Sequence, residues 1–173
     1  QRTSQLEQRN QELFLLHAIA SSLNKAQSLD DVLGELLNKV LGGVEAHAVF
    51  IGLAEPGRRV SPLHGRPQFV AAQDDMAHLA ESVVQQALTL GDLVVVPDTG
   101  AAPEYQVFSR QAKSLIGIPL RAKDKTLGAI VLVYLKPRVP TPEEREFLSS
   151  IGHQAGVVIE NARLFGLFKN LAG

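Results

Sequence analysis

Apolar positions along the chain follow two rhythms, a spacing of three and four residues and unbroken runs, and the switches between them mark its elements. In residues 1–22, Leu6, Leu13 and Ala20 share one heptad phase, and Leu16 and Leu23 share a second that Arg9 interrupts. A coiled-coil helix and a single helix lying on the domain's own sheet both satisfy that pattern. Ser28 then stands where a helix cap is needed, Asp30 and Asp31 fall in a first turn favoured by the dipole, and Gly42-Gly43 ends a helix through Leu41. The continuous apolar run from Ala46 to Ala54 predicts a buried strand, Pro56-Gly57 a type II turn, and Arg59 to Leu63 a short returning strand. Helical spacing returns from Asp75 to Leu90 and stops at Gly91, and Leu93 to Val96 is a short strand ended by Pro97.

Residues 98–112 have the composition of an irregular loop with room for one short helix, and loops of that length in compact domains are commonly functional. Ser114 to Ala122 and Thr126 to Leu135 are the most β-like segments, joined by a tight turn around Lys123-Asp124-Lys125. Thr141-Pro142-Glu143-Glu144 is a capping box with proline at the first helical position. The amphipathic pattern that follows runs to about Lys169, a helix of roughly 40 Å. Its first part, from Phe147 to about Ala155, is expected to close the sheet, and Val158, Phe165 and Phe168 to face a partner helix. Terminal helices, a central mostly antiparallel sheet and one internal helix make an α+β domain. The organisation expected is a signalling and dimerisation helix over residues 1–26, a core over 27–157, and a closing helix over 141–170 that continues as a second signalling helix.

Composition narrows the chemistry. Hydrophobic residues make up 45% of the 173, enough for a sizeable core. The 17 basic and 18 acidic side chains leave no electrostatic footprint for nucleic acid or an anionic membrane. With no cysteine, disulfides, thiolate metal sites, cysteine nucleophiles and thioether-linked chromophores are excluded. No apolar run reaches the roughly 20 residues of a membrane span, and no signal peptide opens the chain, so a cytoplasmic location without membrane contact is expected. A chain that opens on Gln1, with its only methionine at Met76, reads as a segment of a longer protein.

The segments Ser-Leu-Ile-Gly-Ile-Pro-Leu (114–120) and Leu-Gly-Ala-Ile-Val-Leu (127–132) resemble the last two core strands of the GAF family of small-molecule sensor domains. Thr-Pro-Glu-Glu (141–144) with Ile-Gly-His-Gln-Ala-Gly-Val-Val-Ile-Glu-Asn-Ala-Arg-Leu (151–164) resembles that family's closing helix. The Ser28-Leu29-Asp30-Asp31 helix start and the strand after it stand in the same order. This resemblance covers roughly residues 10–168. It implies a five- or six-stranded antiparallel sheet with the terminal helices on one face and a ligand pocket on the other, in a regulatory rather than catalytic domain of a bacterial signalling protein such as a sensor histidine kinase.

For the ligand pocket the sequence offers Phe50, His78, Tyr105, Phe108, Arg110, Ile116 and Ile118, with the loop aromatics as stacking faces and Arg110 for an anion. For a homodimer interface it offers Leu6, Leu13, Leu16, Leu23, Ile151, Val158, Phe165 and Phe168. No cofactor or metal is expected: no two of the five histidines share the helical spacing of a metal pair, although His47 and His78 are the better ligands if haem or a metal binds without covalent attachment. His153 lacks the neighbours of a phosphorylated histidine. The acidic pairs Asp30-Asp31, Asp74-Asp75 and Glu143-Glu144 sit at helix starts, where capping and the dipole account for them. Three readings follow: a sensor that dimerises through its terminal helices and relays the state of its pocket to an output domain in the same chain, a ligand-free scaffold whose pocket is filled by side chains, or a sensor of non-covalently bound haem or metal.

Overall fold

The computed structural model describes residues 9–10, 12–13, 16, 28–55, 59–60, 63–67 and 74–172; the side chains of 59, 74 and 165–172 fall outside that description. Arg9, Asn10, Glu12, Leu13 and Leu16 are helical. Helix α1 spans Leu29–Gly43 and is capped by Ser28, whose hydroxyl accepts the Asp31 amide at 3.2 Å. It turns Val32, Leu33, Leu36, Leu37 and Val40 inward. Strand β1, Ala48–Glu55, is followed by two short strands, β2 at Arg59–Val60 and β3 at His64–Arg66. The sequence predicted a single returning strand there. Helix α2 spans Asp74–Leu90, β4 Val94–Val96, β5 Ser114–Ala122, β6 Lys125–Tyr134 and α3 Pro142–Ala172.

Among the described residues all strand pairings are antiparallel, in a six-stranded sheet ordered β2, β1, β6, β5, β4, with β3 also pairing β1. Period-two alternation therefore gives β1, β5 and β6 two apolar faces. Val49, Ile51, Leu53, Ile116, Ile118, Leu120, Ile130 and Leu132 face one way and pack with α1 and α3. Ala48, Phe50, Leu115, Ala129, Val131 and Val133 face the other way and pack with α2. A strand covered on both sides reads as a continuous apolar run, as Ala46–Ala54 did in the sequence. Lys123 takes a positive φ of 57° in the β5–β6 turn, and the ladder shifts register between Leu120 and Arg121.

The start of α3 is the capping box its sequence predicts. Thr141 Oγ1 accepts the Glu144 amide at 3.1 Å, and the Thr141 amide donates to the Glu144 carboxylate at 3.4 Å. Its 31 residues give a length of about 46 Å. The sheet-facing stripe runs through Leu148, Ile151, Ala155, Val158, Ile159 and Ala162. The part that closes the sheet thus continues to Ala162, seven residues beyond the expected Ala155. Among the described residues no helix is long and apolar enough to cross a membrane.

Candidate functional site

The face under α2 is where the resemblance placed a pocket. Met76, Leu79, Ala80, Val83, Val84 and Ala87 fill it, packed against Phe50, Leu115, Val131 and Val133. The helix sits low because Gly117 gives it room: a Cβ there would stand 2.6 Å from Val83 Cγ1. The loop between β4 and β5 folds as two short 3₁₀ turns, Thr99–Ala101 and Gln106–Phe108. Buried Thr99 closes it by donating its hydroxyl to the Ala112 carbonyl at 2.6 Å. From that loop Tyr105 reaches α2 and donates its hydroxyl to Gln86 Oε1 at 2.5 Å. Burial, aided by Glu104, pushes the Tyr105 phenol above its ordinary pKa. Beside this bond lies an open hollow of about 530 Å³, edged by Ser82, Gln85, Thr89 and Glu104.

Phe50 and Tyr105, both buried, and Phe108, partly buried, belong to this α2-side core. His78 and Arg110 are exposed, on α2 and the loop respectively. Ile116 and Ile118 do not join them. Strand alternation turns both onto the opposite face, beneath α1 and α3, so the expected pocket set is divided by the sheet itself. His47 and His78 are both exposed on separate elements, and among the described residues no three His, Asp or Glu side chains gather as a metal site.

On the other face, α3 touches the sheet backbone to backbone. A Cβ on Gly152 would lie 2.3 Å from the Pro119 carbonyl oxygen, and one on Gly156 would lie 2.1 Å from that of Arg121. The Arg121 side chain leaves in another direction and donates to the Gly91 carbonyl, at the residue that ends α2 with φ +66°. One residue of β5, at the register shift, therefore contacts the helices of both faces. Sequence reading overlooked Arg121, Gly152 and Gly156. The available signal was two glycines four apart inside a helix, each costing about 1 kcal/mol against alanine without a packing reason.

At the open end of this face a cleft of about 810 Å³ lies between the α1–β1 and β6–α3 connections. There the Arg138 guanidinium stacks 4.8 Å from the Tyr134 ring centroid, donates to the Tyr134 hydroxyl at 2.9 Å and pairs with Glu144. Burial raises the Tyr134 phenol pKa, against the lowering effect of Arg138. Glu12 lines the same cleft; burial raises its carboxyl pKa, with Arg9 opposing and Glu143 and Glu144 adding.

Of the residues expected in a dimer interface, Ile151 and Val158 are 0% and 3% exposed and pack on the chain's own sheet. They are removed from that set, because the strongest apolar stripe of α3 is used internally. Leu16 packs partly against the same core, while Leu13 is 55% exposed. Leu6, Leu23 and the side chains of Phe165 and Phe168 lie outside the described residues. Among the described side chains of α3, the large apolar ones exposed are Val157 and Leu164, at 41% and 50%.

Residues 26–160 match the family described as the GAF domain. Among curated proteins, the circadian input-output histidine kinase CikA of Thermosynechococcus vestitus is 23% identical over 183 residues, covering 94% of this chain and 25% of that protein. The chain thus spans a quarter of the length of that relative. Among solved structures, the GAF domain of an Acinetobacter phosphoenolpyruvate-protein phosphotransferase aligns with TM-score 0.70 and 20% identity, over 90% of this chain and 96% of that one. The GAF domain of a Coxiella burnetii phosphoenolpyruvate-protein phosphotransferase aligns with TM-score 0.71 and 17% identity over the same shares, 90% and 96%. At these identities the likeness is one of fold.

Proposed function

The chain belongs to the GAF domain family, and from that premise we propose that it is a cytoplasmic, non-catalytic sensor module that dimerises through its terminal helices and passes the state of its α2 face to an output domain in the same protein. The observation that supports this reading is Arg121. Its side chain holds the end of α2 and its backbone bears Gly156 of α3, so a shift of α2 along the sheet has a short mechanical route to the output helix. A ligand acts on such a device by binding two arrangements of α2 with different affinity. The aromatic side of the face, Phe50, Tyr105 and Phe108, with the hollow beside Gln86, is where a small molecule would enter.

A second reading is favoured by a specific contact. Val83 stands so close over Gly117 that the described part of this face is filled by the protein's own side chains, which suits a ligand-free scaffold. Native mass spectrometry and an absorption spectrum of the protein purified without chelator separate the two. The sensor reading predicts a retained small molecule, with haem visible in the spectrum if it is the ligand. A bare polypeptide mass from cells grown under varied conditions assigns the chain to the scaffold class.

A further inference from the structure

We infer that the loop between β4 and β5 and the head of α3 open as one unit, with Arg138 as the positioning residue that joins them. This unit is separate from the Arg121 route, and it holds for the sensor and the scaffold alike. Both segments hang on the β6–α3 connection, residues 135–141. Among the described residues the buried polar side chains are Thr99 and Ser114, and a buried hydroxyl is costly unless it is bonded. Thr99 closes the loop on itself, its hydroxyl donating to the Ala112 carbonyl and its amide to the Lys113 carbonyl at 2.9 Å. Ser114, the first residue of β5, donates its hydroxyl to the Lys136 carbonyl at 2.7 Å, and the Lys113 amide donates to the Tyr134 carbonyl at 2.8 Å. The exit of the loop is thus bound to the connection. Its entry is bound there too, because the Arg138 amide donates to the Pro97 carbonyl at 3.0 Å.

The same residue holds the helix side. The Arg138 guanidinium stacks on the Tyr134 ring, donates to its hydroxyl and pairs with Glu144. Glu144 is the residue that completes the capping box with Thr141. Arg138 therefore touches the end of β4 with its backbone, the end of β6 with the face of its guanidinium, and the first turn of α3 with its charge. A loop that swings away either breaks the Pro97 bond or carries Arg138 with it. In the second case Glu144 loses its partner and the capping turn loosens. These bonds lie at the ends of elements, where local opening costs least. A coupling free energy is reciprocal, so loosening the cap loosens the loop by the same factor.

Amide hydrogen exchange of the intact chain, followed by NMR, tests this from both sides. Tyr105→Phe removes the hydroxyl that ties the loop to Gln86, and Thr141→Ala removes the one that caps α3. The loop is read at the Tyr105, Phe108 and Ala112 amides, each bonded within it, and the head of α3 at the Glu144 and Arg145 amides, bonded to Thr141. Relative to β6 amides, which report global opening, Tyr105→Phe is expected to speed exchange severalfold at Glu144 and Arg145. Thr141→Ala is expected to do the same at the three loop amides. In an Arg138→Ala background both crossings are expected to vanish, and Arg138→Lys, which keeps a charge for Glu144, to restore part of them. A residue that only adds stability would leave the crossings in place. Effects confined to the perturbed segment in the parent chain overturn the unit, and crossings that survive Arg138→Ala overturn the role of Arg138. Amides of residues 152–162 report the Arg121 route separately, so failure of one is distinguishable from failure of the other.

Discussion

Gly156 of α3 rests on the peptide of Arg121, so closely that a single added carbon would stand 2.1 Å from the Arg121 carbonyl oxygen. Backbone cannot rotate away as a side chain can. Gly156→Ala gains about 1 kcal/mol of helix propensity and meets an overpacking cost of about 1–3 kcal/mol or more. The net expectation is a lower urea midpoint at unchanged m-value, with Gly152→Ala behaving alike over Pro119. A midpoint that rises in both variants would mean that α3 is not seated as described.

Gly117 and Val83 make the matching contact beneath α2, but here the obstacle is a methyl group. Gly117→Ala is expected to destabilise by about 1–3 kcal/mol. Adding Val83→Ala opens the space, so the double variant should be destabilised by at least about 0.5 kcal/mol less than the sum of the two single losses. Thermal or urea denaturation of the four proteins in the cycle measures that coupling.

Alkaline pH tests the two buried phenols. Burial raises the pKa of Tyr105 and Tyr134 above the ordinary value of about 10, so the unfolded chain loses these protons first as pH rises. Their contribution is whole below about pH 10 and declines as pH climbs through the raised values. Urea midpoints from pH 8 upward should fall in the parent protein. The fall should be shallower when Tyr105→Phe and Tyr134→Phe are combined.

At the head of α3, Thr141→Ala removes the hydroxyl that accepts the Glu144 amide. The expected loss is about 1 kcal/mol, and Thr141→Ser should retain most of the stability. Far-UV melts of the two variants give the comparison.

Much of the architecture was legible because local signals and packing agree. Ser28 and Thr141 cap the helices they were expected to cap, and Ser114–Ala122 is the strand its apolar run predicts. The site was less legible, for physical reasons. Period-two alternation assigns residues to two faces without saying which helix covers which, and so Ile116 and Ile118 were grouped with Phe50 across the sheet. In α3 the stripe through Ile151 and Val158 is stronger than the one through Val157 and Leu164, yet strength of pattern does not distinguish an internal contact from a partner. Strand β3 is three residues containing a glycine, too short for alternation to register.

The central claim is that Arg121 couples the α2 face to α3. Hydrogen exchange by mass spectrometry on Arg121→Ala, which loses the bond to the Gly91 carbonyl, measures it directly. A hydrogen bond from a charged donor contributes about 1.5–3 kcal/mol, so the fold should persist. The account predicts faster exchange both at the end of α2 near Gly91 and along α3 from Gly152 to Ala162. Faster exchange near Gly91 alone, with α3 unchanged, would contradict it.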